Sequence, residues 1–189
     1  VPKLDAEYFE KGRGAQSFQY IQGAMKSIYT GEELVGKKGL ILAGPYNAPQ
    51  GTEGRTKAHH EAYKASVVDL AHRLAAPILA DPLSPLREYN DAYIIDSYDA
   101  FLVSQDVKEA LRPDYVILIG QLPVSKRIHQ FLTYHKDVLT IQVDPSFTYR
   151  NGMVTTSRVV AADAIEFAKG IMAINEDTAY MALWQKEQI

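Results

Sequence analysis

The sequence contains no cysteine, a single tryptophan and no long apolar run. Without cysteine, the 189 residues can form no disulfide, thiolate metal site or cysteine nucleophile. A helix that spans a membrane needs ~20 consecutive apolar residues, and neither such a run nor a signal peptide is present. These absences predict no membrane span, and the lack of cysteine is typical of proteins in the reducing cytoplasm.

The chain also lacks a strong charge of either sign. Its formal net charge is −3, with 23% charged and 47% hydrophobic residues, which is the composition of an ordinary globular protein. We therefore expect no basic surface that would attract nucleic acid or an anionic membrane. Any anion-binding site must be local.

Several motifs of self-contained catalytic or cofactor sites are missing or incomplete. Segment 31–38 resembles a phosphate-binding P-loop, but Lys38 stands where a Mg²⁺-binding Ser or Thr is needed, and the segment precedes a predicted strand. No G-x-G-x-x-G follows a predicted strand, and there is no G-x-S-x-G. None of the five histidines lies in H-E-x-x-H, and His59 and His60 are expected to face solvent. The sequence therefore predicts no metal or cofactor site in this chain.

Short apolar runs that alternate with helical patterns are the main feature present. The runs are continuous, as expected for strands covered on both faces. They lie at 39–44, 77–81, 115–120 and 138–143, with a weaker run at 157–161, and the helical patterns lie at 58–75, 97–111, 124–134 and 162–174. Repeated strand–helix–strand units predict a doubly wound, mainly parallel α/β sheet of five to six strands with helices on both faces, a Rossmann-like fold.

The two ends of the chain differ from this pattern. Residues 1–35 are predicted to be an incoming linker with a packing helix over about 17–29, and 36–174 the domain itself. Residues 175–189 are polar and are interpreted as an outgoing linker.

The loop that follows the second predicted strand is one candidate site. It runs from Asp81 to Arg87 at the carboxyl edge of the sheet, where open α/β folds place their ligands. Ser84 and Arg87 are secondary candidates for ligand contacts. The alternative, which the residues favour, is a proline-stiffened connector in which Asp81 and Ser84 bond their own backbone.

The stronger candidate is the segment 120–127, which follows the third predicted strand. Pro123 suits the first turn of a helix, so Lys126 and Arg127 would lie within that turn or just beyond it. The helix dipole disfavours cations there, whereas the free backbone N–H groups attract an anion. The pair is therefore a candidate binding site for a carboxylate or phosphate, and the alternative is a solvated Lys-Arg pair.

Taken in order, these segments resemble the middle domain of the 2-succinyl-5-enolpyruvyl-6-hydroxy-3-cyclohexene-1-carboxylate synthase (MenD) family. The resemblance covers 38–165 and is carried by Asp81-Pro82-Leu83-Ser84 and, later, by Ser125-Lys126-Arg127. It implies that thiamine diphosphate and Mg²⁺ are bound by two flanking domains, in a dimer or tetramer. The family's metal motif G-D-G is absent from this chain, so the resemblance implies a chain that binds no cofactor and is inactive alone.

The resemblance also implies a reaction for the whole enzyme. Members of this family are transferases of menaquinone biosynthesis that decarboxylate 2-oxoglutarate on thiamine diphosphate and add the succinyl carbanion equivalent to isochorismate. Lys126 and Arg127 occupy the positions of the family's substrate-binding pair. Two other interpretations stay open at this stage: a stand-alone Rossmann-like nucleotide-binding module, and a purely structural spacer domain.

Overall fold

The computed structural model describes residues 19–21, 29–46, 57–145 and 158–188. Short turns of 3₁₀-helix lie at Glu32–Leu34 and Pro85–Glu88. The strands are β1 (Gln19–Ile21), β2 (Gly39–Ala43), β3 (Ile78–Ala80), β4 (Ile94–Ile95), β5 (Tyr115–Ile119), β6 (Leu139–Val143) and β7 (Arg158–Val160). The helices are α1 (Lys57–Leu74), α2 (Tyr98–Phe101), α3 (Gln105–Ala110), α4 (Lys126–Tyr134), α5 (Ala164–Gly170) and α6 (Ala179–Glu187).

All described strands form one parallel sheet in the order β1-β7-β6-β5-β2-β3-β4. The predicted doubly wound, parallel α/β class is confirmed. The described sheet has seven strands, because the short strands β1 and β4 add to the five that apolar runs predicted. Residues 19–21 are a strand where the sequence pattern predicted a helix, since pairing with β7 outweighs a weak local preference. The rest of the predicted 17–29 helix lies outside the described residues, apart from Tyr29.

Helices cover both faces of the sheet. On one face, strand residues such as Ile41 and Ile117 pack with α1 and α5. On the other face, Leu40 and Leu118 pack with α2, α3, α4 and α6. All four of these side chains are completely buried. Burial on both faces explains why the strand sequences are continuous apolar runs rather than alternating ones. None of the described helices is long and apolar enough to cross a membrane.

The segment after α5 packs against the domain. Asn175 donates from its side-chain amide to the carbonyl oxygens of Leu34, Lys37 and Leu74 and so closes the amino edge of the sheet. Farther on, Trp184 of α6 is completely buried in the second face's core. The division of the chain into linkers and domain stays a prediction.

The chain reverses its direction of travel across the sheet at β2. From β2 it proceeds to β3 and β4 on one side, and it then crosses back to β5, β6 and β7 on the other. In open α/β sheets, ligands bind beyond the carboxyl ends of the strands at such a point. The loops after β2, β3 and β5 therefore lie where a ligand site is expected.

Candidate functional site

The loops after β2 and β5 contact each other directly beyond the strand ends. Gly44 N donates to Ile119 O at 3.1 Å, and Gln121 N donates to Pro45 O at 3.1 Å. A Cβ atom added to Gly44 would lie 1.6 Å from Gln121 O, so only glycine permits this approach. The two loops are therefore in direct backbone contact at Gly44, Pro45 and Gln121.

The loop after β3 is built around a completely buried carboxylate. Asp81 Oδ1 accepts from Leu83 N at 2.8 Å. Ser84 caps the following 3₁₀ turn by accepting from Leu86 N at 3.4 Å. These are the local contacts that the connector interpretation predicts. Asp81 Oδ2, however, accepts from Val124 N at 2.9 Å, a link to the loop before α4 that the sequence pattern does not predict.

The secondary candidates Ser84 and Arg87 both make structural contacts. Ser84 is buried, and Arg87 Nη1 donates to Ala80 O at 3.2 Å and to Asp96 O at 2.8 Å. Arg87 thus ties the carboxyl end of β3 to the residue that follows β4. A ligand-binding role for either side chain stays a prediction.

Helix α4 starts later than the sequence pattern suggested. Its N-cap is Ser125, whose Oγ accepts from Arg127 N at 3.1 Å and from Ile128 N at 3.2 Å. The Ser125 hydroxyl also donates to Asp99. The expectation that Pro123 lies in the first turn is wrong, because serine is a much better N-cap and sets the start of the helix after itself.

Lys126 and Arg127 are consequently the first two residues of α4. Lys126 is exposed, whereas Arg127 is half-buried and donates from Nη1 to Gln130 Oε1 at 3.0 Å. Within the described ranges, neither cation forms an ion pair with a carboxylate, and the first turn carries no acidic residue. Two cations thus stand at the positive end of the helix dipole with no anionic partner among the residues that the structure describes.

The two cations point in different directions. Consecutive helix residues diverge by about 100°. Lys126 lies on the outer stripe of α4, where it lines a shallow surface depression with His129, Gln130, Thr133 and Tyr134. Together with the backbone N–H groups of the helix start, Lys126 and Arg127 can bind an anion. Both side chains can contact one anionic group, or each can contact a different one. The carboxylates nearby, Asp81 and Asp99, already accept hydrogen bonds.

A second polar cluster lies on the other face, also at the carboxyl edge. Tyr46 Oη lies 2.7 Å from His59 Nε2, donates to Asp163 Oδ2 at 3.0 Å and stacks on Tyr63 with ring centroids 3.9 Å apart. Burial, and then Asp163, raise the pKa of the Tyr46 phenol. His59 is half-buried rather than solvent-facing as the sequence suggested, because its ring packs on this tyrosine. The described residues contain no group of three or more side chains able to hold a metal ion.

The fold and its loops define a Rossmann-like α/β domain with a cationic helix start at the carboxyl edge of the sheet. No family model matches the chain. It is similar to 2-succinyl-5-enolpyruvyl-6-hydroxy-3-cyclohexene-1-carboxylate synthases: 43% identical over 188 residues to that of Lactococcus lactis subsp. cremoris (strain SK11), 41% over 189 residues to that of L. lactis subsp. lactis (strain IL1403), and 37% over 189 residues to that of Desulfitobacterium hafniense (strain DSM 10664 / DCB-2).

The extent of these matches defines what the chain corresponds to. The matches cover 100%, 100% and 99% of this chain, and 32% of each synthase. The chain is thus homologous to one region of these synthases, and it fits their middle domain. The resemblance seen in the sequence is confirmed. The chain spans about a third of the length of these relatives.

Proposed function

We propose that this chain is the middle domain of a 2-succinyl-5-enolpyruvyl-6-hydroxy-3-cyclohexene-1-carboxylate synthase and that it supplies a cationic contact for a substrate carboxylate. In the full-length, cytoplasmic, dimeric or tetrameric enzyme, 2-oxoglutarate is decarboxylated and the succinyl unit is added to isochorismate, for menaquinone biosynthesis. Both substrates are carboxylates. Similarity over the whole chain to synthases of this name supports the assignment.

The observation that carries the proposal is the position of Lys126 and Arg127. Each cation in the first turn of α4 opposes the helix dipole at a cost of about 0.3–1 kcal/mol, and no carboxylate in the described part of the chain offsets it. A bound carboxylate would relieve this cost and would use the two charged groups. The helix start also lies at the edge where α/β sheets bind ligands.

We assign this domain to substrate binding and not to cofactor chemistry. Thiamine diphosphate needs a Mg²⁺ site and an activating glutamate; the G-D-G motif is absent, and the described residues offer no cluster of metal ligands. The residues present therefore do not fit that cofactor. In this proposal the flanking domains hold thiamine diphosphate and Mg²⁺, and no step on the cofactor is assigned to this chain.

Steady-state kinetics of Lys126→Ala and Arg127→Ala in the full-length synthase test the proposal, with 2-oxoglutarate and isochorismate varied separately. A charge-assisted hydrogen bond contributes about 1.5–3 kcal/mol, so each substitution should raise KM for one substrate by roughly ten- to a hundredfold. kcat should change little if the contact is equally strong in ground and transition states.

Lys136→Ala is the matched control, because Lys136 is an exposed lysine just beyond the opposite end of α4. It should leave both KM values unchanged. If Lys126→Ala and Arg127→Ala behave like this control while folding is intact, the assignment of the two cations to substrate binding is wrong. The structural-spacer interpretation then replaces it.

A further inference from the structure

The carboxylate of Asp81 joins the two loops that form the candidate site. Its Oδ1 accepts from Leu83 N at 2.8 Å, within its own loop, and its Oδ2 accepts from Val124 N at 2.9 Å, 43 residues away in the chain. The side chain is completely buried, whereas Leu83 and Val124 are each 66% exposed. A buried anion thus holds two exposed loop residues at the carboxyl edge.

The bond to Val124 fixes how the chain enters α4. Val124 immediately precedes the N-cap Ser125, whose hydroxyl is itself held by Asp99. Two consecutive residues are therefore anchored, one by its backbone and one by its side chain. The next two residues are Lys126 and Arg127, and the path of the backbone at a helix start determines where the first side chains point.

We propose that Asp81 is a positioning residue for the cation pair, acting on substrate binding only through the placement of Lys126 and Arg127. This role rests on the proposed function of the pair. Closing the loop after β3 requires one acceptor, for Leu83 N, which an asparagine also provides. The bond from Val124 N requires a second acceptor oxygen, which aspartate has and asparagine lacks. A buried carboxylate is costly unless its oxygens are bonded, and here both are.

The test begins with Asp81→Asn in the full-length synthase. The asparagine keeps one acceptor oxygen and replaces the other with an NH₂ group, which cannot accept a hydrogen bond. The remaining oxygen closes the loop with Leu83 N, so the bond from Val124 N is lost. We expect KM for the substrate held by the pair to rise about tenfold, in line with the loss of one buried hydrogen bond. In a Lys126→Ala/Arg127→Ala background the same substitution should change KM no further, because residues that act as a unit are not additive.

A second pair of variants removes the donor instead of the acceptor. Val124→Pro deletes the backbone N–H that donates to Asp81. Val124→Ala keeps this N–H and shortens the same exposed side chain. Only the proline variant should reproduce the KM of Asp81→Asn. Asn175→Ala is a control for general loss of stability, because it breaks side-chain-to-backbone bonds at the opposite, amino edge of the sheet, and it should leave KM unchanged.

Amide hydrogen exchange of the 189-residue chain gives a readout without substrate. The Val124 amide should exchange at least tenfold faster in Asp81→Asn, beyond any change in the exchange of the core Ile41 amide of β2, which reports the global stability. Unchanged Val124 exchange would overturn the proposal.

The kinetic outcomes separate this inference from the function on which it rests. If Lys126→Ala and Arg127→Ala raise KM and Asp81→Asn does not, or if the effects add, only the role of Asp81 is overturned. If neither cation variant changes KM, the proposed function fails and the role of Asp81 fails with it.

Discussion

At the scale of single residues, His135 shows how burial sets a side chain's charge. Its Nε2 lies 2.9 Å from the carbonyl oxygen of Lys108, and its Nδ1 lies 3.2 Å from Arg112 Nη1. Because a guanidinium only donates, Nδ1 is the acceptor and the proton sits on Nε2. Burial, reinforced by the charge of Arg112, lowers the pKa of His135 from its ordinary value of 6.5. The folded chain therefore prefers the neutral ring.

This preference predicts a dependence of stability on pH. Below pH 6.5 the unfolded chain binds a proton at His135 that the folded chain resists, so the free energy of unfolding should fall as the pH drops. His135→Gln keeps a donor and an acceptor but cannot titrate. Urea unfolding of both proteins from about pH 7 to about pH 5 should give a flatter profile for the variant. Equal slopes would show that His135 does not control this pH range.

At the same scale, Asp81 shows what sequence patterns do not contain. Its bond to Leu83 N follows the turn chemistry of aspartate and was predictable from neighbouring residues. Its bond to Val124 N depends on β3 and β5 both flanking β2. That neighbourhood comes from the strand order, which apolar runs do not reveal.

At the scale of elements, the longest strands were the easiest to predict from the sequence. Strands β2, β5 and β6 have five residues each, long enough to be recognised as apolar runs. Strand β4 has two residues and leaves no pattern. The helical pattern at 97–111 is found as two short helices, α2 and α3, whereas α4 begins later than its pattern predicts because Ser125, and not Pro123, sets its start.

The cap of α4 gives a prediction at the scale of elements. Ser125→Ala removes an acceptor for the backbone N–H groups of Arg127 and Ile128, and we expect the free energy of unfolding to fall by about 1 kcal/mol. Ser97→Ala is the matched control, because Ser97 precedes α2 but its side chain makes no cap hydrogen bond. Urea denaturation should separate the two variants, and equal losses would contradict a capping role for Ser125.

At the scale of the whole molecule, the described residues form a domain with a continuous sheet and two cores, and the relatives that the chain matches are much longer. Its sheet is covered on both faces, with cores that include Phe167 on one side and Trp184 on the other. Its candidate site consists of a cation pair and the backbone N–H groups of a helix start, which are suited to binding an anion. The relatives that it matches are about three times as long.

The final prediction follows from this contrast. The 189-residue chain should unfold cooperatively in urea, because most of its strands are buried on both sides. The pure chain should release no CO₂ from 2-oxoglutarate when thiamine diphosphate and Mg²⁺ are added, and calorimetry should detect no heat of thiamine diphosphate binding, since the chain lacks the G-D-G motif. The full-length synthase, assayed in parallel, is the positive control. Turnover that follows the concentration of the pure chain would mean that this domain holds the cofactor itself, and the assignment to substrate binding would then be wrong.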